Sequence, residues 1–288
     1  MSARIYPSGP GEGGSGEWAI PLTPRRLRDA IANWVSTTIV GSFAGVGARA
    51  YYLRDVVRGL AEPGTYLPET LKQMRAIGVD SLPLASLVAA FIGSVIALQS
   101  RYQLFPGVQL SIVGLITRQM IILELGPLLT GLVLAGRVGA QMTAEIGTMR
   151  VTEQIDALET LAYDPLAYLV VPRMIAGLIM LPVLTIYADA IGIFAAFLTS
   201  TIATDIHYFD FRDGLRLGFS QFQLFYSLLK AVMFGGAISF LCTYEGYTAS
   251  AGAEGVGKAT AKAVVIASVW ILVLDALTAG LLAKYLQA

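Results

Sequence analysis

The chain has 288 residues, 55% of them hydrophobic and 14% charged, with a mean hydropathy of +0.65. Soluble domains carry about 25% charged residues, so this composition excludes one and predicts an all-α polytopic membrane protein. Its 20 basic and 20 acidic residues cancel, so net charge is silent about partners, and no basic-aromatic surface for nucleic acid is present.

The single cysteine, Cys242, excludes an intrachain disulfide, and the single histidine, His207, leaves no His/Cys metal cluster. No metal or cofactor is therefore expected on the chain itself.

In chain order, residues 1–23 open with a Gly-, Pro- and Ser-rich run and read as a disordered tail. The tail has no apolar core, so no signal peptide is expected there. Residues 24–80 read as interfacial or re-entrant amphipathic helices. The uncharged stretch 30–48 is long enough to cross a membrane, but Arg25, Arg26 and Arg28 precede it and Arg49, Arg54 and Arg58 follow it. Both ends favour the cytoplasmic side, which one crossing cannot satisfy. A second amphipathic piece carries Leu67, Leu71, Met74 and Ile77 on one face, with Glu69, Lys72 and Arg75 elsewhere.

Residues 81–288 then hold five expected spans. Ser81–Ser100 is free of charge. Val108–Gly147 is 40 residues long. That is about 60 Å of helix against a hydrocarbon core of about 30 Å, so it must project or bend, with Gly126-Pro127 the expected bend. Met174–Thr204, interrupted by Pro182 and Asp189, is the third; Ser220–Tyr244 and Ala263–Ala283 are the last two. Segments before Asp80, the 150–173 connection and the loop with Lys258 and Lys262 hold 13 Lys/Arg; the opposite loops hold four. This asymmetry predicts a cytoplasmic N-terminus and an external C-terminus.

Two elements stand out in the middle of the chain. Gly131, Ala135, Gly139, Thr143 and Gly147 recur every four residues, a small-residue face where another helix backbone can approach, within the subunit or across a dimer. Thr148–Leu161 then turns polar and amphipathic. Val151, Ile155 and Leu158 lie on one side, while Glu153, Asp156 and Glu159 share the other with Arg150 at its edge. Tyr163-Asp164-Pro165 ends it. Composition alone leaves an ordinary membrane-surface connector open as a reading.

Charges at membrane depth are costly. Arg118, Glu124, Arg137, Glu145, Asp189, Lys230, Glu245 and Asp275 all fall in or near spans, and either pair internally or line a polar zone. Arg118, Glu124 and Arg137 are the candidates for such a zone. Glu124 leads because it adjoins Gly126-Pro127, and broken helices expose backbone groups only towards protein or a cavity. Glu145 is expected to support the short helix. Gly252 to Lys258 fits a phosphate-binding GxxxxGK run, but Ala259 replaces the Ser/Thr that holds magnesium and a membrane helix precedes it. It reads as a Gly-rich turn.

The runs Glu124-Leu-Gly-Pro127, Ala135-Gly-Arg137, Ala144-Glu-Ile-Gly-Thr-Met149, Glu153-Gln-Ile-Asp-Ala-Leu158, Asp164-Pro165 and Ala251-Gly252 through Thr260 resemble the MlaE/YrbE family, over roughly residues 65 to 288. One departure is Leu123, where the family often has Arg. The resemblance implies a permease subunit of an ABC-type lipid transporter, with phospholipid as the substrate class. It also implies a separate ATPase carrying ATP and magnesium, an MCE-domain partner, and a second permease copy, a homodimer being favoured. The element at 148–161 is then the coupling helix, with Arg150, Glu153, Gln154, Asp156 and Glu159 meeting the ATPase and Val151, Ile155 and Leu158 anchoring it. The chain itself is not expected to be an enzyme, and the expected location is the cytoplasmic (inner) membrane. A competing class is an ion-coupled carrier using Asp189, Glu245 and Asp275, or a lipid-modifying membrane enzyme.

Overall fold

The computed structural model describes residues 41–60 and 63–286, and every regular element among them is helical. The expectations for the tail 1–23 and for residues 24–40 lie outside the described residues. Helix α1 (Gly41–Gly59) is followed by α2 (Pro63–Gly78), a single 3-10 turn (Val79–Ser81) and α3 (Leu82–Tyr102). The amphipathic piece therefore continues into the first span, giving one 37-residue path from Tyr66 to Tyr102. Pro83, in the first turn of α3, fits there because a first-turn N–H has no helical acceptor to lose.

The second span, Ser111–Val151, is 41 residues long. Three α-helical pieces, α4 (Ser111–Gln119), α5 (Gly126–Leu134) and α6 (Ala140–Val151), are joined by π turns at Met120–Leu125 and Ala135–Gly139. Pro127 explains the first. It cannot donate to the Leu123 carbonyl four residues back, and its ring crowds that carbonyl. The chain widens by one residue, with Gly126 N–H donating to Ile121 O.

A short helix α7 (Gln154–Thr160) follows, then a π turn (Leu166–Val170) leading into α8 (Val171–Ala203), which passes Pro182 unbroken. At the opposite end of the bundle α9 (Tyr208–Arg216) connects to α10 (Gln221–Tyr247), and α11 (Ala253–Leu286) ends the described chain. Five of these helical paths are long and apolar enough to cross a membrane. The molecule is an all-α polytopic membrane protein.

Lipid tails are as apolar as leucine, so close packing and polar links must hold such helices together. Both are present. α8 packs centrally, against α3 on one side and α10 on the other. A Cβ on Gly93 of α3 would run into the Gly192 backbone of α8, and one on Gly235 of α10 would meet the Gly177 carbonyl of α8. Only glycine permits these backbone approaches. Ser86 Oγ and Tyr187 OH, 2.7 Å apart, add a hydrogen bond between α3 and α8. Beyond the end of α8, Asp205 accepts two bonds from Arg101, at 2.6 and 2.7 Å. Between the helices lies a core of Leu134, Met142, Leu181, Leu184, Phe234 and Ile238, all buried. Leu87, Phe91 and Val95 of α3 and Val265, Val269 and Leu272 of α11 point outward, as lipid-facing residues do.

Candidate functional site: a short end helix and a polar seam

The short helix is anchored from its apolar side. Ile155 is fully buried beside Tyr52, Ile146, Leu169 and Val171, with Leu158 packed at the edge of that cluster. Val151 is half-buried as the last residue of α6. The helix expected over 148–161 is thus divided. Residues 148–151 continue α6, and the chain breaks at Thr152 and Glu153 before α7 begins. Glu153 makes the turn in the left-handed region, φ 60°, a conformation L-residues seldom adopt. The other end closes at Ala162, φ 59°, with Ala162 N–H donating to Glu159 O at 3.0 Å and Tyr163 N–H to Leu158 O at 3.1 Å. This is the Schellman arrangement, in which a left-handed residue lets the last carbonyls find donors.

The polar side is not uniform. Glu153, Gln154 and Glu159 are exposed, Gln154 donating to Thr152 Oγ1 at 3.0 Å. Arg150 and Asp156 are joined to each other across the break, Nη1 to Oδ1 2.7 Å. The Arg150 guanidinium also lies 5.8 Å from the ring centroid of Tyr247, the last residue of α10.

The small-residue ladder faces α10 and the start of α11 inside the subunit. Gly131 abuts Phe234, Ala135 is fully buried in the core, and a Cβ on Gly139 would lie 2.7 Å from Cys242 Sγ. Thr143 Oγ1 donates a hydrogen bond to the Cys242 carbonyl at 2.9 Å, and Gly147 faces Ala249 and Val256.

The membrane-depth charges divide into separate structures. Arg118 is buried; it donates to the carbonyls of Leu215 at 2.9 Å and Leu217 at 3.1 Å and covers the Phe219 ring. It caps the C-terminus of α9, where carbonyls lack helical donors and a cation is favoured. Arg137, in the second π turn, donates to Ser81 Oγ and so ties the second span to the start of α3. Arg118 and Arg137 are thus engaged in interhelical links rather than grouped with Glu124.

Glu124 belongs to a different group. Lys230 of α10, with no exposed side-chain surface, places Nζ 2.7 Å from Glu124 Oε2 and 2.8 Å from Asp275 Oδ1 of α11. It also donates to the Leu123 carbonyl at 3.2 Å, the carbonyl whose α-helical donor Pro127 lacks. The Glu124 side chain is 45% exposed, that of Asp275 17%. A buried ammonium is thus held between two carboxylates, one of which opens outward at a helix irregularity. The seam continues along α10 through Tyr226, whose ring lies 4.7 Å from Lys230 Nζ, and the buried Ser227 and Gln223.

Near α7, Glu145 accepts from the buried Arg173 at 2.9 Å, and Arg173 also donates to Leu169 O at 2.7 Å. Glu245 pairs with Lys262 at 2.8 Å. Lys230 and Asp275 were visible in sequence as misplaced charges. Their convergence on Glu124 from residues 106 and 151 positions away has no local signature. The same holds for Tyr247 under Arg150.

These features define a polytopic helical membrane protein whose polar chemistry is divided between one end of the bundle and an internal seam. Residues 70–281 match the family model described as Permease MlaE. A probable ABC transporter permease protein of Rickettsia felis is 38% identical over 259 residues, covering 88% of this chain and 98% of that protein. The intermembrane phospholipid transport system permease protein MlaE of Haemophilus influenzae is 33% identical over 249 residues, 85% of this chain and 95% of its own length. The chloroplastic protein TRIGALACTOSYLDIACYLGLYCEROL 1 of Arabidopsis thaliana is 34% identical over 207 residues, 72% of this chain and 59% of that one. The chain belongs to the MlaE permease family.

Proposed function

We propose that this chain is the transmembrane permease subunit of an ABC-type phospholipid transporter in the inner membrane, and that α7 is the element through which a separate ATPase drives it. The observation that carries the coupling reading is the division of α7. Ile155 is sunk into the bundle, while Glu153, Gln154 and Glu159 are exposed on the outer side. A helix gripped from one face and anchored from the other transmits force; a passive connector needs no buried anchor. In this reading ATP and magnesium stay on the ATPase. An MCE-domain protein receives or delivers lipid at the end carrying α9, and a second copy of the chain completes the lipid cavity. The 13-to-4 distribution of Lys/Arg supports an α7 end, and an N-terminus, in the cytoplasm and a C-terminus outside.

The outward-opening Glu124 carboxylate beside Lys230 supports a polar stretch of the lipid path, since zwitterionic headgroups carry both signs of charge. Arg118 and Arg137, also candidates for such a path, are bonded to the end of α9 and to Ser81 respectively.

The test is co-purification. Glu153→Lys with Glu159→Lys is expected to leave permease levels and membrane insertion unchanged, because exposed charge changes cost within about ±0.5 kcal/mol of stability. The ATPase should be lost and lipid transport with it. Retention of both at matched permease levels would show that α7 is not the docking element.

A further inference from the structure

We propose that Arg150 and Asp156 form the joint that fixes the angle of α7 and passes its movement to α10, a positioning role that rests on the coupling reading above. Only Thr152 and Glu153 separate α6 from α7, and Glu153 sits in a left-handed conformation. The backbone there is a corner with no helical hydrogen-bond ladder running through it. Arg150 lies before the corner and Asp156 beyond it, and their 2.7 Å contact is the side-chain strut across it. The strut does not end at Asp156. The same guanidinium rests against the ring of Tyr247, and Tyr247 belongs to the apolar cluster that holds Ile155.

α10 runs without interruption from Gln221 to Tyr247 and carries Lys230. One rigid rod therefore connects the corner under α7 with the ammonium held by Glu124 and Asp275. The 17 residue steps from Lys230 to Tyr247 span about 25 Å of helix. A rotation of α7 that drags Arg150 bears on the end of this rod.

Stability does not account for the pair. The side chains are 39% and 57% exposed, and exposed ion pairs contribute little to folding. Asp156 Oδ1 is committed to Arg150, while Glu153, Gln154 and Glu159 are the exposed residues that the joint does not use.

The experiment uses the permease reconstituted with its ATPase in phospholipid vesicles, reading lipid moved per ATP hydrolysed. Arg150→Gln should keep the ATPase bound and the permease melting temperature unchanged. It should lose about fivefold or more in lipid moved per ATP, the low end of the range for coupling between distant sites. Arg150→Lys should recover part of the loss. The exchanged pair Arg150→Asp with Asp156→Arg should recover more than either single substitution. Unchanged lipid per ATP in Arg150→Gln would overturn the joint, as would an exchanged pair no better than the singles. Loss of ATPase binding in Arg150→Gln would move the residue to the docking face and overturn the joint as well. Failure of the coupling reading itself appears separately, as ATPase retained by the Glu153→Lys, Glu159→Lys variant.

Discussion

Pro127 and Lys230 are complementary: the proline withdraws a backbone donor from the Leu123 carbonyl, and Lys230 Nζ, 3.2 Å from that oxygen, supplies one. Inside a membrane no water can do this, and an unsatisfied carbonyl is costly. The proline therefore creates both the irregularity at Met120–Leu125 and the demand for a cation beside it. Glu124 and Asp275 then balance that cation.

Removing the lysine should be more damaging than removing either acid. Deleting one partner of a buried pair costs about 3–5 kcal/mol, and Lys230→Met would strand two carboxylates and a carbonyl together. Asp275→Asn should cost less, and Glu124→Gln least, because the Glu124 side chain is the most exposed of the three. Melting temperatures of the purified variants check the order; a Glu124→Gln loss as large as that of Lys230→Met would contradict it.

The ladder yields a paired comparison within one turn of helix. Gly139→Ala places a methyl 2.7 Å from Cys242 Sγ, whereas a methyl at Gly136 would meet nothing within 4 Å. Overpacking typically costs about 1–3 kcal/mol, so Gly139→Ala should lower the melting temperature and Gly136→Ala should not. Equal shifts would mean that the α10 contact does not discriminate between the two faces.

At the opposite end of the bundle, the two hydrogen bonds from Arg101 hold the Asp205 carboxyl down at about 2, against an ordinary 3.8. A depressed acid stabilises the fold above its unfolded value, and that contribution disappears as pH falls through the folded one. Wild type should therefore melt above Arg101→Gln at pH 5, the gap narrowing between pH 4 and 2. Because Asp205 is exposed the gap should be small, and a gap that widened on acidification would reverse the sign.

Ala162 occupies a left-handed position that glycine fills without strain. Ala162→Gly should stabilise the end of α7 by up to about 1 kcal/mol, seen as slower hydrogen exchange at the amides of residue 162 and Tyr163. Faster exchange would show that chain entropy outweighs the relief.

What the sequence made visible follows from what is local. Charge-free runs such as Ser81–Ser100 mark spans because hydrocarbon excludes charge, and Gly126-Pro127 marks an irregularity because proline lacks a donor. The four-residue ladder marks a face, but its partner, Cys242, lies 103 residues from Gly139, and nothing short-range selects it. The Thr152–Glu153 corner was hidden for another reason. Glu153 is a poor left-handed residue, so a run of helix formers disguises the break. Arg118 looked like a candidate for a lipid path because its partners, the carbonyls ending α9, are backbone groups that any sequence possesses. The amphipathic piece before Ser81 reads as separate because polarity changes there and Gly78 and Pro83 flank the junction, yet a single 3-10 turn, Val79–Ser81, is all that parts the two helices.

The charges of the seam also set conditions on how the chain is made. Glu124 is synthesised 106 residues before Lys230, and Asp275 another 45 after it. Until Lys230 is made, the second span carries a carboxylate whose cation does not yet exist. Lys230 in turn arrives before its second anion. The fourth and fifth spans therefore complete the second, each bringing a charge that balances one already placed.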